Sequence, residues 1–418
     1  MEEKASLTNN NNGKSLKLYV YLVFFLIIFS SGGILDQRYF SFSQAIFIIM
    51  VIPTIFFVSF QKKHLALLIF PAILIIVNLI NSSDTIINYL IFLTKFIFVF
   101  QFSLFCFQKN INIFKVLSNI IVGISIYSLF TYFLLDVYKL LPYVYEVVDT
   151  KKYKVFLGIH YHWQTTYWYN WLVSRNNSIF WEPGVFQIYL NLAIIYQLFI
   201  AKKANFFALI VLLFSMVTTF STTGIILSLI ICLVRLYQVK PKKLFMKYLK
   251  TIIFLIAIAG SLYVSQYVID QKLNYATRSY DLREDNLTIG YQLFLEKPLV
   301  GWGFLNNSGY EEIAGIPNNS NGFISMLFHQ GILGIIFHII PVLILAKNFS
   351  KISFLFSIVF LVYFFISINT EPFVYTNLIS LFTCLGILSI SDKRRFVEWM
   401  NNFISKKRMN RRFKFVVK

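Results

Sequence analysis

The sequence predicts an all-α polytopic membrane protein of about twelve transmembrane helices with two large external loops. Three observations predict this class. Of the 418 residues, 57% are hydrophobic and only 13% are charged, which leaves too little polar surface to cover a soluble globule. Apolar runs long enough to cross a hydrocarbon core of about 30 Å recur along the chain. The charged residues sort to opposite sides of these runs.

Short polar connections separate the apolar runs and define the predicted membrane domain, residues 18–391. The stretch "FSTTG" (220–224) divides one long run, because that run exceeds a single span and the stretch offers a turn. The predicted spans are 18–35, 41–60, 64–80, 86–107, 113–135, 184–200, 205–220, 222–237, 248–268, 322–346, 351–368 and 374–391. Residues 1–17 form a cytoplasmic leader without a cleavable signal, and residues 392–418 form a basic cytoplasmic tail.

The charge distribution predicts the topology. With the N-terminus inside, most of the 38 Lys and Arg residues fall on inner segments and most of the 18 Asp and Glu residues fall on outer ones. Inner connections read "QKKH", "AKKA" and "KPKK", as the positive-inside rule requires. Both termini are therefore expected to be cytoplasmic, and the positive charge indicates topology and interaction with the lipid bilayer, with no nucleic acid as partner.

Two outer segments, the first loop (136–183) and the second loop (269–321), hold most of the polar chemistry. The first contains "HYHWQTTYWYNW" (160–171), whose rings would either stack on sugar faces or form an interfacial aromatic belt. His160 and His162 could face one way on a strand, but no third ligand is evident, so no metal site is predicted. The three cysteines lack CxxC spacing, so neither a disulfide framework nor a zinc site is indicated.

The first loop ends in "RNNSIFWEPGVFQ", which runs into the sixth span. Pro183 suits the first turn of a helix, and Gly184 permits close approach of backbone or ligand. Glu182 has two interpretations: it caps this helix, or it is a carboxylate at the membrane surface that orients or deprotonates a hydroxyl. Arg175 and Trp181 lie on the same stretch, beside the same outer surface.

The second loop contains "NLTIGYQLFLEKPL", which predicts a helix ended by Pro298. A tight re-entry at "GWGF" and the stretch "NNSNG" then lead into the tenth span. Arg278 and Arg283 precede the helix, and an arginine fork matches the oxygens of a pyrophosphate. Further candidates for the same outer rim are Arg38, Trp302 and Asn321, while Glu371 in "NTEPF" repeats the Glu-Pro sequence as a second acid/base candidate.

Four stretches in this order give the chain a family resemblance: "RNNSIFWEPGVFQIYLNLA", "FSTTGIILSLI", "REDNLTIGYQLFLEKPLVGWG" and "NNSNGFISMLFHQGILGI". The chain resembles the bacterial O-antigen and capsule polysaccharide polymerases (Wzy type) of the O-antigen polymerase and ligase superfamily. The resemblance implies a GT-C-like, inverting, metal-independent glycosyltransferase in the bacterial inner membrane, without cofactors. Its active face would be periplasmic. An undecaprenyl-pyrophosphate-linked glycan would be both donor and acceptor, and a co-polymerase and a flippase would be partners.

The resemblance also implies roles for the site residues. Arg175 and Arg283 would stabilise the departing pyrophosphate and Glu182 would act on the acceptor hydroxyl as catalytic residues. Arg278, Trp181, Trp302, Asn321 and Arg38 would bind substrate. Ligases of the superfamily carry a His-Asn pair before the span ending in "GxxG", and this chain has Ser320 and Asn321 there. The missing histidine favours a polymerase over a ligase.

The remaining alternative is a flippase for lipid-linked oligosaccharide. A flippase would place polar groups in a central cavity and keep its external loops short. This chain has nearly charge-free spans, Lys95 being the exception, and it carries its polar groups in the loops.

Overall fold

The computed structural model is predominantly helical. It describes residues 2–34, 40–62, 86–148, 151–168, 171–238, 277–316 and 318–403, with single positions between 64 and 77 and between 245 and 266. In the first half of the chain the helices are α1 (Glu2–Phe29), α2 (Phe40–Val51), α3 (Ile86–Gln108), α4 (Ile113–Thr131), α5 (Pro183–Ile195), α6 (Phe206–Thr218) and α7 (Thr222–Gln238). In the second half they are α8 (Thr277–Glu296), α9 (Ser308–Ala314), α10 (Gly322–Gly334), α11 (Ile340–Ser350), α12 (Phe354–Thr370), α13 (Asn377–Ser391) and α14 (Lys393–Phe403).

Several helices extend or begin in ways that the sequence explains locally. Asparagine side chains cap α4, α6 and α10, and a serine caps α12, each accepting a backbone N–H of the first turn. π-helical turns follow α4 (Tyr132–Val137), α5 (Tyr196–Ile200) and α10 (Ile335–Ile339), and a 3₁₀ turn follows α2 (Ile52–Phe57). The leader is continuous with the first span, since α1 begins at Glu2.

Apolar helices occupy ten of the predicted spans. Four are long and apolar enough to cross a membrane: Ile87–Gln108, Ile113–Val137, Pro183–Ile200 and Gly322–Ser350. Six shorter ones are Ser15–Phe29, Ser43–Phe57, Phe206–Thr218, Thr222–Gln238, Phe354–Thr370 and Asn377–Ser391. The predicted spans 64–80 and 248–268 lie largely outside the described residues, so the number twelve stays a prediction.

The core of the bundle surrounds α5 and α13, whose residues are nearly all buried. Phenylalanine rings fill the space between helices, as in the edge-to-face pair of Phe360 and Phe382 (ring centroids 5.4 Å apart). After α13, helix α14 packs Phe396 and Trp399 against this core, so the basic tail begins with a docked amphipathic helix. Residues 404–418 of the tail lie outside the described part of the chain.

The all-α expectation is wrong for the first loop, which folds into two small antiparallel sheets. One has the order β1-β2-β3 (Val144–Val148, Lys151–Phe156, His160–His162), and the other pairs β4 with β5 (Thr165–Trp168, Trp171–Ser174). Strand edges are tolerated outside the hydrocarbon region, where water can satisfy them. One face of the larger sheet buries Tyr153, Val155 and Tyr161 against Ile34.

Candidate functional site at the outer ends of α5, α10 and α12

The segment 175–182 is hydrogen-bonded to α4, to α6 and to the residues that follow α1. Asn176 lies at its centre with 1% of its surface exposed. Its side chain accepts a hydrogen bond from Ser128 Oγ of α4 (2.8 Å) and donates one to Thr218 Oγ1 of α6 (3.0 Å). Its backbone N–H donates to the Thr218 carbonyl (2.9 Å). Because a buried amide needs such partners, the asparagine fixes the loop to both helices.

The other end of this segment is joined to the end of α1. The backbone N–H of Ile34 donates to the Ile179 carbonyl (3.0 Å), and that of Trp181 donates to the Gly32 carbonyl (3.2 Å). Gly32 has φ +134°, and a Cβ there would lie 2.5 Å from Val185 Cγ1, so only glycine fits. Trp181 itself is half-buried between the bundle core and the small sheet, and its carbonyl accepts from Trp163 Nε1 (3.0 Å).

Arg175 is held by both its backbone and its guanidinium. Its Nε donates to the Thr219 carbonyl (3.1 Å), and one terminal nitrogen donates to Gln164 Oε1 (2.9 Å). Its backbone N–H donates to the Gln164 carbonyl (3.0 Å), and its own carbonyl accepts from His162 Nδ1 (3.0 Å). The half-buried guanidinium is therefore oriented by the loop and by the turn between α6 and α7. Its predicted contact with pyrophosphate stays a prediction.

His160 and His162 do face one side of a strand, as the sequence suggested, and both face Asp136. His160 Nε2 lies 3.6 Å from Asp136 Oδ2, and His162 Nε2 lies 3.8 Å from Oδ1, with all three side chains buried. Burial lowers the pKa of His162 below its ordinary value, while the neighbouring Asp136 carboxylate acts in the opposite direction. Within the described residues, no group of three or more His, Cys, Asp or Glu side chains is arranged to hold a metal ion.

Glu182 occupies the N-cap position of α5 in an extended conformation (φ −146°, ψ 151°). Its side chain makes no hydrogen bond to the first turn of that helix, so the capping interpretation of Glu182 is wrong. Pro183 begins the helix, as predicted. The acid/base interpretation of Glu182 remains as a prediction.

A second carboxylate, that of Glu371, lies at the start of α5. A Cβ at Gly184 would overlap Glu371 Oε1, so this oxygen lies directly against the first turn. The same residue packs against α10, because a Cβ at Gly322 would lie 2.6 Å from the Glu371 carbonyl oxygen. The close approach that the sequence predicted at Gly184 is thus made by a side chain from the outer end of α12.

Asn321 joins this cluster from the start of α10. Its Oδ1 caps the helix by accepting from the Ile324 N–H (3.1 Å), and its Nδ2 lies 3.4 Å from Asn369 Oδ1, two residues before Glu371. Asn321, Asn369 and Glu371 therefore lie together where the ends of α10 and α12 meet the first turn of α5, which Glu182 precedes. Carboxylates and amides placed in this way can form hydrogen bonds to a hydroxyl and accept its proton.

The second loop is inserted into a break in α10. At Gly331 the helix adopts φ 60° and ψ −151°. The N–H groups of Ile332 and Leu333 donate to the carbonyls of Pro298 (2.8 Å) and Leu299 (3.3 Å), while the N–H groups of Trp302 and Gly303 donate to Phe328 (2.8 Å) and His329 (3.0 Å). The re-entry predicted at "GWGF" is confirmed, and its backbone replaces the hydrogen bonds that α10 loses.

The Trp302 side chain packs within the inserted second loop. Its indole Nε1 donates to the Leu293 carbonyl (2.9 Å), and Lys297 Nζ lies over its ring, 4.1 Å from the centroid. A sugar could stack only on ring surface that Lys297 does not cover. Trp302 thus lies beside α8, and its predicted role in substrate binding stays a prediction.

Polar residues around α10 are linked to the second loop. His329 is hydrogen-bonded through Nε2 to Asn307 Oδ1 (2.8 Å) and through Nδ1 to the Tyr375 hydroxyl (3.3 Å). Ser320, at the position of the ligase histidine, accepts from Asn286 Nδ2 (2.7 Å). His338 lies deeper, against the Phe337 ring (4.7 Å between centroids). Both histidines are therefore packed within the bundle.

The remaining predicted arginines cannot be placed beside this cluster. Arg278 and Arg283 lie on α8, and their side chains fall outside the described residues. Arg38 also lies outside the described residues. The sequence did not predict the contact of Glu371 with Gly184, although the repeated Glu-Pro pair was a signal for it. It missed Gln164 and Asp136, since only the fold brings them to Arg175 and the histidines.

One comparison with known families matches part of the chain. Residues 207–339 match the family model described as O-Antigen ligase. The matched stretch runs from α6 through α10 and includes the inserted second loop, but it excludes the segment 175–182. No curated protein and no solved structure matches the chain. The chain is a membrane protein with a region similar to O-antigen ligases.

Proposed function

We propose that this protein is a polysaccharide polymerase. It joins undecaprenyl-pyrophosphate-linked oligosaccharide repeat units on the outer face of the bacterial inner membrane, as in O-antigen, capsule or exopolysaccharide synthesis. The observation that carries the proposal is the O-antigen ligase similarity of residues 207–339, in a bundle whose outer helix ends gather two carboxylates, Glu182 and Glu371. A lipid-linked glycan suits a site at the outer ends of spanning helices.

The proposed reaction is one inverting displacement. The acceptor hydroxyl oxygen attacks the anomeric carbon of the donor, the bond from that carbon to the pyrophosphate oxygen breaks, and the pyrophosphate leaves with the bonding electrons. Glu182 takes the hydroxyl proton. Arg175 and Arg283 stabilise the negative charge that develops on the pyrophosphate, with no metal required. Positioning of donor and acceptor supplies much of the rate.

Polymerase and ligase differ in the acceptor, and one residue favours the polymerase. Ser320 stands at the position of the ligase histidine, and its hydroxyl is bound to Asn286. A hydroxyl with this partner cannot replace an imidazole in proton transfer at neutral pH. The ligase is the second candidate, since the matching family model carries that description.

The experiment that tests the proposal is a gel of surface polysaccharide from cells lacking the gene, with lipid-linked precursors extracted in parallel. The polymerase predicts a surface acceptor that bears a single repeat unit and no ladder. Bare acceptor with long lipid-linked polymer would identify a ligase. Bare acceptor with single units trapped on the inner face would identify a flippase.

A point variant tests the arginine role within that assay. Arg283→Ala is expected to abolish polymer while leaving the protein level intact, because the developing charge on the pyrophosphate loses a cation. Arg394→Ala is the matched control, since Arg394 lies on the inner helix α14 and pairs with Glu398 (3.2 Å). A normal ladder from the Arg283 variant would remove this residue from the site.

A further inference from the structure

At the start of α5 the Glu182 carbonyl accepts from the Val185 N–H (3.1 Å), but the Glu182 side chain caps no N–H group of the first turn. The first N–H groups of any helix have no acceptor within the helix, and an N-cap side chain normally supplies one. Glu182 occupies that position and makes no such bond. The backbone of Glu182 is extended, and Pro183 follows it at the first helical position.

Glu371 lies at this helix end instead. Its Oε1 occupies the space that a Cβ on Gly184 would need, against the first turn of α5. A carboxylate at a helix N-terminus interacts favourably with the first-turn N–H groups and with the helix dipole. The two Glu-Pro pairs also share one backbone conformation, since Glu371 has φ −143° and ψ 151°.

The chain holds Glu371 in this place from two sides. The Glu371 carbonyl accepts from the N–H of Phe373 (2.7 Å), which closes a tight turn after α12. The start of α10 packs on the same carbonyl through Gly322, where a side chain would not fit. Glycine at both 184 and 322 is therefore what lets three helix ends meet around Glu371.

We propose that Glu371 is a positioning residue whose carboxylate caps the start of α5 in place of Glu182, so that the Glu182 carboxylate is directed at the acceptor hydroxyl. The capping half of this proposal depends only on the fold. The assignment of Glu182 to the acceptor hydroxyl rests on the proposed function.

A double-mutant cycle on the full-length protein in detergent tests the cap without any activity assay. Gly184→Ala is expected to lower the midpoint of thermal unfolding, because its Cβ displaces Glu371 Oε1. Adding Gly184→Ala to a chain that already carries Glu371→Ala is expected to cost much less, since no carboxylate remains to be displaced. Gly123→Ala is the matched control, because a Cβ at Gly123 on α4 meets no atom within 4 Å.

If the shifts in the unfolding midpoint for Gly184→Ala and Glu371→Ala simply add in the double variant, Glu371 does not cap α5. If Gly184→Ala does not fold, Glu371→Gln and Glu182→Gln decide, because both keep side-chain size and remove the charge. The proposal expects Glu371→Gln to lower the midpoint and Glu182→Gln to leave it nearly unchanged. If Glu182→Gln lowers the midpoint and Glu371→Gln does not, Glu182 caps α5 and the proposal is wrong.

The same two glutamine variants assign the roles in the polymer assay. Glu182→Gln is expected to fold and to lose polymer, whereas Glu371→Gln is expected to retain a reduced ladder. Loss of polymer only in Glu371→Gln would make Glu371 the base and overturn the assignment. Normal ladders from both variants would remove the carboxylates from the proposed reaction, while the unfolding midpoints still decide the cap.

Discussion

The first and second loops are attached to the bundle in different ways. The first loop lies on helix ends: the Asn176 side chain bridges α4 and α6, the Arg175 guanidinium reaches the turn after α6, and backbone hydrogen bonds join the segment to the ends of α6 and α1. The second loop is joined by backbone, through four hydrogen bonds with the break in α10 at Gly331. Substitution of one side chain removes individual hydrogen bonds of the first loop. The insertion of the second loop into α10 depends instead on glycines that no other residue can replace.

The largest expected effect on stability is at the insertion of the second loop into α10. Gly331→Ala places a Cβ 2.6 Å from the Leu299 carbonyl oxygen, in a backbone region that essentially only glycine adopts. We expect a loss of stability on the order of 3 kcal/mol, seen as a low yield of folded protein and a lower unfolding midpoint. Gly315→Ala is the control, since Gly315 has φ +66° but open space around it and should cost about 1 kcal/mol. If Gly331→Ala and Gly315→Ala lower the stability equally, the close packing of the second loop against Gly331 does not stabilise the fold.

The next effect is at the side-chain anchor of the first loop. Asn176→Ala removes the side-chain hydrogen bonds to the buried hydroxyls of Ser128 and Thr218, so we expect a loss of about 2–3 kcal/mol in the free energy of unfolding. Asn112→Ala removes the cap of α4, in which Asn112 Oδ1 accepts a hydrogen bond from the Lys115 backbone N–H, and should cost about 1 kcal/mol. A smaller loss at Asn176 than at Asn112 would show that the first loop does not depend on this bridge.

A smaller effect is expected at the partner of Arg175. Gln164→Leu removes the acceptor of the guanidinium and should cost about 1.5 kcal/mol, together with part of the polymer ladder. Gln164→Glu keeps an acceptor oxygen and should restore the ladder. If the leucine and glutamate variants yield the same polymer, Gln164 does not orient Arg175 for the reaction.

The smallest effect is a pH dependence of the first loop alone. Because burial lowers the folded-state pKa of His162, the unfolded loop binds more protons below the ordinary histidine pKa of about 6.5. The stability of the loop is therefore present above that pH and is lost as the pH falls. The loss should be a fraction of the roughly 1.4 kcal/mol per pH unit that one linked proton contributes.

Hydrogen exchange of β3 between pH 8 and pH 5, corrected for intrinsic rates, measures this dependence. His162→Asn removes the titration and retains an amide N–H near the Arg175 carbonyl, so its profile should be flatter. The second loop should show no such change. Parallel profiles for wild type and variant would refute the role of His162.

Much of the membrane domain could be predicted from sequence because a segment that crosses the hydrocarbon core must be apolar along its length. Apolar runs and the break at "FSTTG" predicted spans that the structure shows as apolar helices, with α6 and α7 separated at the predicted turn. The helix before Pro298 and the re-entry at "GWGF" followed from local turn chemistry. The strands of the first loop were missed, because their short alternation is a weaker signal than the aromatic run beside them.

The site was only partly predictable for a related reason. The sequence identified Glu182 and Glu371 as similar Glu-Pro pairs, but it left Glu182 with two interpretations, cap or acid/base. The structure excludes the first of these, and long-range packing brings the Glu371 side chain to Gly184. Residues Gln164 and Asp136 carried no local signal, since their roles exist only once Arg175 and the two histidines lie beside them.

The sequence by itself determined that this chain is a helical membrane protein with its polar chemistry in two loops. It could do so because the lengths of apolar runs and the positions of charged residues between them are local properties of the sequence. Tertiary structure alone decided which carboxylate meets the start of α5 and how the second loop enters α10. Both depend on close approach between segments far apart in sequence, at glycines where the absence of a Cβ leaves room for a partner.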